Sequence, residues 1–199
     1  MKKIVLFFGS FNPIHIGHLI LGNHMADNTD LNEVWFVVSP QNPLKEKVNL
    51  LEDHHRLAMV REAIENNPKL RASDVEFSLP KPSYTVFTLQ KLKEDFPTNE
   101  FVLIMGEDNL RSLHKWKNYE YILDNHEIFV YPRLHLDKEN KQGKQNEIVG
   151  RNKVKLLQDV PMMKISSSFI RKLIKNGKDV KYLLSEPVFK YLDEMNFYK

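Results

Sequence analysis

Four uninterrupted apolar runs constrain this chain most: Ile4–Phe8, Val34–Val38, Phe101–Met105 and Ile128–Tyr131. None alternates with polar residues, so each reads as a strand covered on both faces, the habit of a parallel sheet sandwiched between helices. Each run stops at a turn former: Gly9, Ser39-Pro40, Gly106 and Pro132. Helical spacing fills the gaps between them. A helix opens near His15 to Gly17 and runs to about Asn28. Others are expected over Glu52–Asn66, with Leu57, Val60, Ala63 and Ile64 on one face, and over Thr85–Phe96. Val75–Ser78 reads as a further short strand and Val154–Leu157 as an edge strand. The Lys-, Asn-, Gln- and Gly-rich stretch 136–151 reads as a surface loop. Two last helices follow, Ser167–Asn176 before Gly177 and Glu186–Met195 with Pro187 in its first turn. Strands alternating with helices imply βαβ units.

The composition excludes several classes. With no cysteine there is no disulfide, zinc thiolate or cysteine nucleophile. Hydrophobic residues at 42% and charged residues at 28% are the balance of a globular domain. A net charge of +3 is too small for a nucleic-acid surface. The N-terminal apolar run is too short for a secretory signal, and no window approaches a membrane span. The expectation is a soluble, cytoplasmic, single domain over 1–199, helical from about 160 onward, with no nucleic-acid or membrane partner.

In parallel sheets ligands bind beyond the carboxyl ends of the strands. There the sequence Gly9-Ser10-Phe11-Asn12-Pro13-Ile14-His15-Ile16-Gly17-His18 follows the first strand. Gly9 permits a tight turn, and the loop feeds a helix start whose free N–H groups suit a phosphate. Two histidines three apart at that start can stabilise charge developing at phosphorus. His-x-x-His is also a metal pattern, but a third ligand and a supporting Glu are not evident nearby. A second anion site is Ile165-Ser166-Ser167-Ser168-Phe169-Ile170-Arg171, where hydroxyls and N–H groups open a late helix and Arg171 can reach phosphate oxygens.

These two motifs together resemble the nucleotidyltransferase superfamily that includes the class I aminoacyl-tRNA synthetases. Three further segments resemble the bacterial nicotinate-nucleotide adenylyltransferases, and the resemblance covers Ile4 to about Tyr191. It implies a Rossmann-like doubly wound α/β fold, a parallel sheet with helices on both faces and a small C-terminal helical part. In Ser39-Pro40-Gln41-Asn42-Pro43-Leu44-Lys45, it places Asn42 and Lys45 at the mononucleotide. In Pro82-Ser83-Tyr84-Thr85, it places Tyr84 and Thr85 at the nicotinate carboxylate. In Met105-Gly106-Glu107-Asp108, it places Gly106 and Asp108 at the ATP ribose, and further on Trp116 on the pyridine ring. Gly9, Ser10, Phe11, His18, Arg133, Ser166, Ser167, Ser168 and Arg171 complete the implied ATP site, with His15, His18 and Arg171 catalytic. The chain departs from the family pattern at Asn12 and Phe87, where Asp is usual, and at Glu107, where a small residue is usual.

The resemblance implies that ATP and nicotinate mononucleotide are joined into a dinucleotide, with Mg²⁺ carried on ATP. Other acceptors stay open: nicotinamide mononucleotide, phosphopantetheine or a small alcohol phosphate. A synthetase fragment has too few residues left for a tRNA-binding domain, and a non-catalytic nucleotide sensor would not need both histidines and Arg171. Oligomeric state is open, a homo-oligomer included.

Overall fold

A computed structural model of the chain describes residues 1–43, 50–132, 153–161 and 163–199. Six strands form one parallel sheet: β1 (Lys3–Gly9), β2 (Glu33–Val38), β3 (Leu70–Ser73), β4 (Glu100–Gly106), β5 (Ile128–Tyr131) and β6 (Val154–Leu156), in the order β3-β2-β1-β4-β5-β6. Seven helices are seen among the described residues: α1 (Ile16–Asn28), α2 (Asp53–Ile64), α3 (Thr85–Asp95), α4 (Glu107–Ser112), α5 (Tyr119–Asn125), α6 (Ser167–Lys175) and α7 (Glu186–Glu194). This is the doubly wound arrangement, with its switch of direction between β1 and β4. None of the described helices is long and apolar enough to cross a membrane.

Two cores explain the continuous apolar runs. Successive strand side chains point to opposite faces. Val5, Phe7, Val34 and Phe36 pack on one face with α1, α2, α6 and α7, through Met25, Val60, Ile170 and Leu192. Ile4, Leu6, Trp35 and Val37 pack on the other with α3, α4 and α5, through Leu89, Leu110 and Ile122. A strand between two such layers has no solvent side on which to place polar residues.

The third strand is not where the sequence suggests. Val75–Ser78 is a 3₁₀ turn, and the strand is Leu70–Ser73, paired with Val34–Val37 of β2. An edge strand is only partly covered, so Leu-Arg-Ala-Ser carries little apolar signal. The turn that follows directs Glu76 inward, where it is 1% exposed. The edge strand at Val154 forms as expected, and α6 opens on Ser166, whose hydroxyl accepts the Phe169 N–H at 3.2 Å. Gly177 follows α6 with φ +65°, the left-handed conformation of a helix-ending glycine.

Candidate active site

Two adjoining cavities lie at the strand ends beside the switch point. The larger, about 870 Å³, is bordered by the α1 opening on one side and the α6 opening on the other. The smaller, about 300 Å³, extends from Gly9, Ser10 and Ser39 toward Tyr84 and Trp116. Asn42 and Asn109 border both.

The loop after β1 is fixed by packing. Phe11 turns its ring back under the loop, 1% exposed, with φ 45°. A Cβ on Gly9 would come within 2.6 Å of that ring, so glycine is required for this fold-back. The Phe11 ring meets Phe7, Phe36 and His18 edge-on, with centroids 5.9, 5.6 and 5.1 Å apart. Phe11 thus supports the histidine from below. His15 and His18 are stacked, centroids 3.7 Å apart, and the His15 N–H donates to His18 Nδ1 at 3.2 Å. An accepting Nδ1 carries no proton, so the neutral ring's N–H is at Nε2. Gly17 leaves room for this stack, since a Cβ there would press at 3.2 Å on the His15 ring.

The α6 opening is stitched to the same loop across the length of the chain. Ser167 Oγ donates to the Pro13 carbonyl at 2.8 Å, and Arg171 donates to the Asn12 carbonyl at 2.7 Å and to Ser168 Oγ at 3.2 Å. His15, His18, Ser166, Ser167, Ser168 and Arg171 therefore border one cavity. Asp108 and Asn109 form the wall beyond β4; Gly106 is buried at the end of that strand. The expected mononucleotide residues Asn42, Tyr84, Thr85 and Trp116 come together around the smaller cavity. Lys45, Arg133 and the expected loop 136–151 lie outside the described residues.

Proteins of known sequence and structure share this framework. A cytidylyltransferase-like family model matches residues 6–173. Proteins named nicotinate-nucleotide adenylyltransferase match almost end to end. The one from Flavobacterium psychrophilum is 56% identical over 197 residues, 99% of each chain. That from Christiangramia forsetii is 55% identical over 100% of this chain and 99% of its own. The chain belongs to the nicotinate-nucleotide adenylyltransferase family. The Plasmodium falciparum nicotinic acid mononucleotide adenylyltransferase complexed with NaAD has the same fold, with a TM-score of 0.80 at 23% identity over 100% of this chain and 98% of that one.

The residues at which this adenylyltransferase chain departs from the family pattern have evident partners. Asn12 Oδ1 accepts from the Leu51 N–H at 3.2 Å and from the Tyr198 hydroxyl. Both duties need only an acceptor, which either Asn or Asp supplies. Tyr198 is largely buried there, and burial raises its phenol above the usual value. Glu107 stands in the first turn of α4, where the helix dipole favours an acid, and pairs with Arg111 at 3.6 Å. Phe87 and Tyr84 both face the Lys117 ammonium, at 4.6 and 4.9 Å from their ring centroids.

Three site residues carry no local signal. Lys164 borders the larger cavity just ahead of the serine-rich turn, and Glu76 borders the smaller one. The third, Arg56, has no exposed side-chain surface. It donates to the carbonyls of Ser10, Ser39 and Leu51 at 2.6, 2.8 and 2.9 Å, and to Asp53 Oδ1 at 2.5 Å. This side chain clamps the loops after β1 and β2, on which both cavities depend.

Proposed function

We infer that this chain transfers the adenylyl group of ATP to nicotinate mononucleotide, giving nicotinate adenine dinucleotide and pyrophosphate, a step in NAD biosynthesis. The observation that carries this reading is the meeting of the α1 and α6 openings on one cavity that continues into a second, aromatic-walled one. The larger cavity suits ATP, with its phosphates between the histidines and Arg171. The smaller suits the pyridine nucleotide, with Trp116 against the ring and the α3 opening at Tyr84 and Thr85 toward the carboxylate.

The mononucleotide phosphate is already a competent nucleophile. Its oxygen bonds to the α-phosphorus as the bond to the β-phosphate oxygen breaks in line, and pyrophosphate leaves. No general base is required. The protein's work is positioning and charge stabilisation. His18 Nε2–H and Arg171 donate to oxygens that gain charge, the Ser166 and Ser168 hydroxyls and helix N–H groups hold the rest of the triphosphate, and His15 buttresses His18. The donor set here is imidazole, hydroxyl and guanidinium, with Asp108 as the carboxylate on the wall. That fits a Mg²⁺ ion that would come in on the triphosphate and would neutralise part of its charge, with few protein ligands, while Asp108 faces the ribose hydroxyls. In this proposal Lys45 contacts the mononucleotide and Arg133 the adenine or phosphates of ATP.

A pyrophosphate-release assay with ATP and a panel of acceptors tests the reading. Release is expected with nicotinate mononucleotide. Absence of release with that acceptor, or faster release with phosphopantetheine or an amino acid, would overturn it. Trp116→Ala is expected to raise KM for the mononucleotide about 10- to 100-fold, the usual worth of aromatic stacking on a base, with little change in kcat. An unchanged KM would remove Trp116 from the pocket.

A further inference from the structure

The smaller cavity holds a buried carboxyl group that adenylyl transfer as described above does not use. Glu76 is 1% exposed yet stands on the cavity wall. Its Oε1 accepts a 2.7 Å hydrogen bond from Thr88 Oγ1. Among the described residues its Oε2 has no hydrogen-bond partner, and neither has Ser83 Oγ, buried on the same wall. Folded chains rarely leave such atoms open unless a ligand or the chemistry uses them.

Thr88 lies on the first turns of α3, and Tyr84 and Thr85 at the opening of that helix border the same cavity. A ring substituent drawn to the helix opening therefore comes to the wall that carries Glu76. The groups around Glu76 among the described residues are the hydroxyls of Thr88, Ser39 and Ser83. Burial pushes its carboxyl above the usual range, and the hydrogen bond from Thr88 only partly offsets that. Among the described residues, the other ionisable side chains on the cavity are Tyr84, Lys115 and Lys117.

We propose that Glu76 reads the substituent on the pyridine ring: as a neutral acid its Oε2–H donates to a ring carboxylate, whereas ionised Oε2 accepts from a ring carboxamide. The proposal rests on the smaller cavity being the pyridine pocket. An incoming carboxylate favours the neutral form further, since two carboxylates sharing one dry site do not both stay ionised. As pH rises through the folded-state value of Glu76, the donor is lost and a second negative charge faces the acid, while the amide gains an acceptor.

The test is the ratio of kcat/KM for nicotinate mononucleotide to that for nicotinamide mononucleotide, measured across pH. Both substrates carry the same phosphate, so its ionisation cancels in the ratio. In the unmodified enzyme the ratio should fall about tenfold or more as pH rises through the folded-state value of Glu76, the worth of a hydrogen bond to a charged group. In Glu76→Gln, the amide keeps its oxygen for Thr88 and presents N–H to the pocket at every pH, so the ratio should stay within about twofold. Thr88→Val removes a hydroxyl that favours the ionised form, so the fall should move to higher pH; this variant decides the matter if Glu76→Gln does not fold. A pH-independent ratio in the unmodified enzyme, an equal fall in Glu76→Gln, or an unmoved fall in Thr88→Val would overturn the proposal. An enzyme that makes no dinucleotide from nicotinate mononucleotide would instead overturn the functional reading itself.

Discussion

Replacing His18 by alanine should lower kcat by about 10²- to 10³-fold, the usual cost of removing one donor aimed at developing charge. The side chain is held for that task from two directions. The Phe11 ring meets it edge-on, and the stacked His15 supplies the backbone N–H that occupies Nδ1. Fixed in this way, the ring has Nε2–H as its one donor, and it stands on the cavity shared with Arg171 and the serine turn. The substitution also strips an acceptor from a helix-opening N–H, which costs about 1 kcal/mol of stability. The two effects separate experimentally. Steady-state rates measured well below the unfolding transition report the catalytic loss, while the melting temperature reports the cap. A kcat within about twofold of the parent would remove His18 from the chemistry, whatever happened to stability.

The strands that carry this site were legible because they are buried on both faces. Ile4–Phe8 and Phe101–Met105 cannot be read as anything amphipathic, and the glycines that end them mark where ligands approach. The edge strand Leu70–Ser73 was not legible, because partial cover leaves Arg71 exposed and Leu70 and Ala72 half-buried, and its one buried position is a polar Ser73. The two anion-binding openings were visible as motifs, but their meeting was not. It depends on hydrogen bonds from Ser167 to Pro13 and from Arg171 to Asn12, between residues more than 150 positions apart in the chain. Short helices such as Glu107–Ser112 leave too few turns for a period to emerge. Glu76 and Arg56 were missed for a common reason. A charged residue within an expected element, Glu76 in a strand and Arg56 in a helix, reads as solvent-facing, and only the assembled loops reveal the surroundings in which it is buried.

Arg56 should accordingly be the most costly of these residues to lose for stability. Arg56→Met keeps the aliphatic stem and its volume, so the core facing α2 stays filled. What disappears is a planar fork that satisfies three backbone carbonyls from three separate segments. Breaking such a buried charged network is worth about 3–5 kcal/mol. Asp53 keeps its ion pair with Lys81 at 2.9 Å, so most of the loss falls on the carbonyls of Ser10, Ser39 and Leu51. Lysine should not rescue the substitution, because one ammonium on a flexible stem cannot reproduce the fork's diverging donors. Asp53 adds a pH signature. Burial pushes its carboxyl up, but hydrogen bonds and charge from Lys81 and Arg56 outweigh this and hold it below the usual carboxylate range. Its contribution is therefore present above its unfolded-state value and lost as pH falls through the lower folded-state value. Without Arg56 that acid-side loss should shrink. Urea unfolding at neutral and acid pH measures both effects, with a lowered midpoint at an unchanged slope marking a loss of stability alone. If the variant unfolds within about 1 kcal/mol of the parent, the Arg56 clamp contributes little, and the loops that border both cavities owe their position to packing around Phe11 instead.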